Sequence, residues 1–96
     1  MNQAEAVEVA ETRLAELRQH GYARLVHERL DQPASEYATA PSGRRYQLEI
    51  EAVWDDPAHP GRNLRVWVLV DEGGSSETRP LQCDFVVTPD GSFVGE

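Results

Sequence analysis

The sequence predicts an α+β domain, an N-terminal helix packed on an antiparallel meander, and three observations predict it. The first nineteen residues repeat apolar positions at helical spacing. From Arg45 onward three runs alternate apolar and polar side chains, and turn residues fill the gaps between those runs. Ninety-six residues with 40% apolar content suffice for one core and not for two, so a single domain spanning residues 1–96 is expected.

In the first segment Val7, Ala10, Leu14 and Leu17 fall at i, i+3, i+7 and i+10, the spacing that lines one helical face. Asn2 with Glu5 three residues on reads as an N-cap and its capping-box partner, and His20-Gly21 as a stop with glycine in the left-handed position. The opposite face, with Glu5, Glu8, Arg13 and Glu16, reads as solvated. Tyr22 to Leu30 fits two templates. Tyr22, Leu25, Val26 and Leu30 sit at i, i+3, i+4 and i+8, favouring a second short helix, whereas a strand would mix Arg24 and Val26 on one face. Asp31-Gln32-Pro33 ends the segment in either case.

Glu36 to Ala40 is a weak first strand before the turn Pro41-Ser42-Gly43. Arg45 to Trp54 alternates cleanly: Tyr46, Leu48, Ile50, Ala52 and Trp54 on one side, Gln47, Glu49, Glu51 and Val53 on the other. The connection DDPAHPGR leads to a third strand, Asn63 to Val70. A Gly/Ser loop over Glu72 to Thr78 follows, then a fourth strand over Leu81 to Thr88. After the turn Pro89-Asp90-Gly91, Ser92 to Val94 adds a short pairing. If Trp54 faces Leu64, then Ala52 faces Val66, Ile50 faces Val68 and Leu48 faces Val70, and Leu81, Cys83 and Phe85 line up opposite Val70, Val68 and Val66. The resulting face is wholly apolar and needs a cover, which the N-terminal helix supplies. The order of elements resembles that of cystatin-like and nuclear-transport-factor-like folds.

The same register leaves an unusual second face. Val53, Trp67, Leu69 and Val86 form an apolar island rimmed by Glu49, Glu51, Arg65, Gln82 and Asp84. An apolar centre holding a tryptophan inside a charged rim is how binding surfaces are built. The candidate interface is therefore Val53, Arg65, Trp67, Leu69, Val86, Glu51 and Asp84. A symmetric homodimer and a foreign protein partner are both expected occupants, the alternative being that Tyr22 to Leu30 folds across Trp67.

Seventeen acidic against nine basic residues give a net charge of −8, which disfavours nucleic acid and anionic membrane as partners and suits a basic protein partner. No apolar run approaches the roughly 20 residues of a membrane span, and MNQAEAVEVAE lacks the pattern of a secretion signal, so a cytoplasmic setting is expected. All basic side chains are arginine, which suggests a GC-rich bacterial genome.

Chemistry-bearing motifs are sparse. Asp55, Asp56 and Asp90, with His59, fall at one end of the meander and could face a divalent cation, but aspartate beside proline or glycine is ordinary turn chemistry and no metal is expected. His20 is placed where the dipole of the first helix favours a cation. Cys83, the single cysteine, reads as a small inward residue. Glu49 and Glu51 read as a solvated strand face rather than an acid/base pair, and Gly73-Gly74-Ser75-Ser76 lacks the lysine and helix of a phosphate loop. No catalytic residue and no cofactor are assigned.

The stretches GRRYQLEIEAVWDDP, RVWVLVDEGG and DFVVTPDGSFVGE resemble a family of small uncharacterised bacterial domains that close on a strand, a PDG turn and an FVGE tail. The likeness covers roughly residues 43–96 and implies no activity and no site residues. The functional expectation is a small non-enzymatic binding module acting through the Trp67 face, with an immunity-like neutralisation of a basic toxin as one role that suits the charge. The alternative is a small-molecule binder or enzyme with a pocket between helix and sheet; it meets the difficulty that Leu48, Ile50, Val66, Val68, Phe85 and Val87 offer no polar groups.

Overall fold

The structure, a computed structural model, describes residues 2–72 and 80–96. Two helices, α1 (Gln3–Arg18) and α2 (Tyr22–Arg29), precede four strands, β1 (Ala34–Thr39), β2 (Arg45–Trp54), β3 (Leu64–Asp71) and β4 (Leu81–Val87). The strands form one antiparallel sheet in the order β1-β2-β3-β4. The expected α+β meander is the observed one. The Gly/Ser loop, with Gly73-Gly74-Ser75-Ser76, lies outside the described residues. No helix among the described residues is long and apolar enough to cross a membrane.

Helix α1 starts as its sequence suggests, the Asn2 side chain accepting the Glu5 N–H at 3.1 Å. Its buried stripe differs by one position: Ala6, Ala10, Leu14 and Leu17 face the sheet, and Val7 is 39% exposed. The reason is helical pitch. Steps of 4, 4 and 3 average about 3.7 residues, close to the 3.6 of an α-helix, while a stripe through Val7 would need about 3.3. Gly21 also differs from expectation. It is not a left-handed cap of α1 but the N-cap of α2, with φ 80° and ψ 162°, a conformation essentially restricted to glycine. The N–H groups of Gln19 and His20 close α1 by donating to Glu16 and Leu17 carbonyls, and three residues separate α1 from α2.

The segment Tyr22 to Leu30 is helical, and it lies on the same side of the sheet as α1. Leu25 is fully buried in the core with Leu14 and Leu17, while Tyr22, Val26 and Leu30 pack at its border. Leu30 pairs with Ala52 of β2 and Asp31 N–H donates to the Ala52 carbonyl at 2.8 Å, pinning the end of α2 to the sheet. Tyr22 reaches the β2–β3 connection, its hydroxyl donating to the Arg62 carbonyl at 2.6 Å.

Strand register follows the alternation. Trp54 faces Leu64, Ala52 faces Val66, Ile50 faces Val68 and Leu48 faces Val70; Val70, Val68 and Val66 in turn face Leu81, Cys83 and Phe85. The inner positions from Tyr46 to Ala52 and from Leu64 to Val70 are almost completely buried, and among the described residues the core contains no polar or charged residue apart from the Tyr46 hydroxyl. The chain end pairs as expected: Val87 bridges Phe93, and the Phe93 ring meets Phe85 edge-on with the Arg18 guanidinium over both.

Candidate functional site

The outer face of the sheet carries the residues singled out by the sequence, in the register expected: Glu51 opposite Trp67, Trp67 opposite Asp84, Val53 opposite Arg65, and Arg65 opposite Val86. Neither helix lies on it. Helix α1 packs against β3 and β4, helix α2 against β2, and the buried helical side chains all belong to the inner core. Trp67, Leu69 and Val53 are half-buried by their neighbours on the sheet; Val86, at 8% exposure, is the most enclosed of the four. The possibility that Tyr22 to Leu30 covers Trp67 is thereby overturned, because three residues between the helices return the chain to the face α1 already occupies.

Arg65, the cation of this island, is paired from within. Arg65 donates to Asp55 at 2.9 Å and to Asp84 at 2.7 Å, and the two carboxylates hold its guanidinium pKa above the ordinary value. The centre is thus apolar and its principal cation already paired. Tyr37 is a further member that sequence reasoning missed. It projects from β1 on the outer face opposite Gln47, is 60% exposed, and has the Arg45 guanidinium 4.1 Å above its ring. The register of β1 against β2 was the signal that could have found it. A hollow of about 100 Å³ bounded by Gln47, Glu49, Leu69, Asp71 and Pro80 marks the end of the face near Leu69.

A second concavity lies on the inner side, between α1 and β1. It encloses about 480 Å³ over a floor of Val9, Ala38, Ala40 and Leu48, with Glu8, Thr12, Arg13, Glu16 and Glu36 on its walls. On the face of α1 expected to be solvated, Glu8 and Glu16 are exposed, while Glu5 and Arg13 are partly buried along this groove. Arg13 pairs with Glu36 at 2.5 Å and with Glu16 at 3.3 Å; burial opposes its charge, but the two carboxylates outweigh this and raise its pKa. Glu5, at one end, accepts the Tyr46 hydroxyl at 2.8 Å, and hydrogen bonds from Ser42 and Tyr46 lower its pKa. The expected difficulty with a pocket was the apolar character of the inward strand positions. The polar groups here come from the helix and the edge strand instead.

The remaining chemical candidates are occupied locally. Asp55 serves Arg65. Asp56 accepts the Ala58 N–H at 3.0 Å and lies 2.7 Å from His59 Nδ1, and Asp90 accepts the Ser92 N–H at 2.9 Å and the Thr88 hydroxyl. Among the described residues no group of three or more His, Cys, Asp or Glu is arranged to hold a metal ion. His20 corrects the expectation of a dipole-stabilised cation: burial, and then Arg24, push its pKa down and favour the neutral ring. Burial, Glu11 and Asp84 raise the Cys83 thiol pKa, which keeps it protonated and a poor nucleophile.

Comparison with family models, with curated proteins and with solved structures gives no match for this chain.

Proposed function

We propose that this chain is a non-enzymatic binding module that engages a protein through the outer face of its sheet, with a second copy of itself as the first occupant to test and a basic cytoplasmic protein as the other. The observation that carries the reading is the placement of both helices on one side, which leaves Trp67, Leu69 and Val53 without a cover from the helical layer. Paired Arg65 supports the choice of a protein surface: its guanidinium is bound to Asp55 and Asp84 before any partner arrives, so association need not bury a lone cation. A net charge of −8 favours neutralisation of a basic protein, an immunity-like role, if the partner is foreign.

The size of the patch sets the expected strength. An apolar contact on the order of 300 Å² per copy removes about 600 Å² from water, about 15 kcal/mol of gross hydrophobic gain. The association cost of about 4–15 kcal/mol offsets between a quarter and all of it, so self-association is expected at about 10 nM or weaker. Light scattering over a concentration series extending through that range tests the reading, with Trp67→Glu beside the native chain. The expected result is a mass rising toward the dimer for the native protein and a folded monomer for the variant. A native chain that stays monomeric, together with a variant that unfolds, would overturn it.

A further inference from the structure

We propose that the outer edge of β1, which no other described strand pairs, is a docking site for an extended basic segment of another protein, which adds to the sheet as a fifth strand and sends alternate side chains into the groove between α1 and β1. This site lies on a different part of the molecule from the Trp67 face and does not depend on that reading.

The hydrogen-bond alternation of an antiparallel pair identifies which groups the edge presents. Ala40 N–H donates to the Arg44 carbonyl at 2.8 Å, in register with the pair Thr39–Arg45. The bonded pairs therefore continue through Ala38–Tyr46, Glu36–Leu48 and Ala34–Ile50, and the intervening Ser35, Tyr37 and Thr39 turn their N–H and C=O groups away from β2. All three residues are exposed. The opposite edge is different. At its C-terminal end β4 is capped by the tail, Val87 pairing with Phe93 and Val94 N–H donating to the Val86 carbonyl at 2.9 Å. Pro33 and Pro41 flank β1, confining its edge to a short stretch.

Charge selects the occupant. An incoming strand places its inward side chains beside Glu36 and Ala38, in a groove with the carboxylates of Glu8 and Glu16 on its helical wall and Arg13 as the one cation among the described residues lining it. A carboxylate aimed inward from an edge strand deters apolar strands from pairing, a known protection against aggregation. The same carboxylate accepts an arginine or lysine, exchanging Arg13 for the ligand's cation. The position beside Ala38, over Val9 and Leu48, takes an apolar side chain. The preferred segment therefore alternates basic and apolar residues on one side, with main-chain bonds providing affinity and the groove providing specificity. A second copy is a poor occupant, since it would bring another Glu36 and another net charge of −8 to the same edge.

The test is an NMR titration of the labelled full chain with the capped heptapeptide Ser-Arg-Thr-Val-Thr-Arg-Ser, whose inward positions are Arg, Val and Arg. The expected result is saturable shifts and slowed exchange at the amides of Ser35, Tyr37 and Thr39. Replacing both peptide arginines by glutamate, or N-methylating both threonines, is expected to abolish binding, and Glu36→Arg to weaken it at least tenfold. Raising the ionic strength gives the same electrostatic test on the native chain and should weaken binding. No change at those amides with millimolar peptide, shifts centred on Trp67 instead, equal binding of the glutamate peptide, or affinity indifferent to salt would each overturn the proposal. Protection of Ser35, Tyr37 and Thr39 in a peptide-free dimer would overturn it too, by assigning the edge to a second copy.

Discussion

Arg13 and Glu36 meet at 2.5 Å and tie helix α1 to the edge strand across the groove that separates them. Glu36→Gln removes the charge and keeps the shape. Both side chains retain contact with water, 20% and 34% exposed, so solvent screens the pair and its loss is expected to cost no more than about 1 kcal/mol. Urea unfolding measures this. A loss above about 3 kcal/mol would mark the pair as a desolvated bridge rather than a surface tie.

Trp67→Glu separates a surface role from a core role. Trp67 is half-buried and lies outside the inner core, so the variant is expected to lose less than about 2 kcal/mol, well below the 3–5 kcal/mol typical of truncating a buried aromatic. Far-ultraviolet circular dichroism and the denaturant midpoint check that it folds.

Ile50→Ala is the matching core variant. Ile50 is fully buried, pairs with Val68, and sits in the centre of the inner face, so its truncation leaves a cavity and is expected to cost about 2–5 kcal/mol. A change below about 1 kcal/mol in the urea midpoint would mean that this face is loosely packed.

Gly21→Ala isolates a backbone effect. A Cβ at Gly21 would meet nothing within 4 Å, so no clash contributes, but φ 80° with ψ 162° is a conformation that alanine avoids. The expected cost is about 1–3 kcal/mol, read from the thermal midpoint. Gly21→Asn is expected to give little relief, because asparagine tolerates the left-handed helical region and not this extended one.

Asp90 supplies a pH dependence whose sign is fixed. Hydrogen bonds from Thr88 and Ser92 lower its carboxyl pKa from 3.8 to about 2. The unfolded chain then binds more protons in that interval, so the stabilisation is present above pH 3.8 and is lost as pH falls through about 2. Thr88→Val should raise the Asp90 midpoint toward 3.8, seen by carbon-detected carboxyl titration. It should also lower stability at neutral pH by an amount that vanishes at the acid end. An unchanged midpoint would show that Ser92 alone holds the carboxylate.

The sheet was legible in the sequence because alternation has a period of two. A one-residue slip between Trp54–Leu64 and Ala52–Val66 would turn the whole apolar ladder to water, so a single register satisfies the pattern. The outer island of Val53, Trp67, Leu69 and Val86 followed from the same register. Helical spacing carried less information. It separates Ala6 from Val7 only through the mean step of the stripe, about 3.7 against about 3.3 residues, and it described Tyr22 to Leu30 without saying on which side of the sheet that helix would lie. The short Gln19–Gly21 connection and the Leu30–Ala52 bridge decided that, and the bridge depends on contact between segments distant in sequence. The groove was decided by tertiary structure alone. A four-stranded sheet spans about 15 Å between its edge strands, whereas a helix is about 10 Å across. Helix α1, placed over β3 and β4, therefore cannot cover β1, and its Glu8, Arg13 and Glu16 line a groove that is open to water along the strand edge.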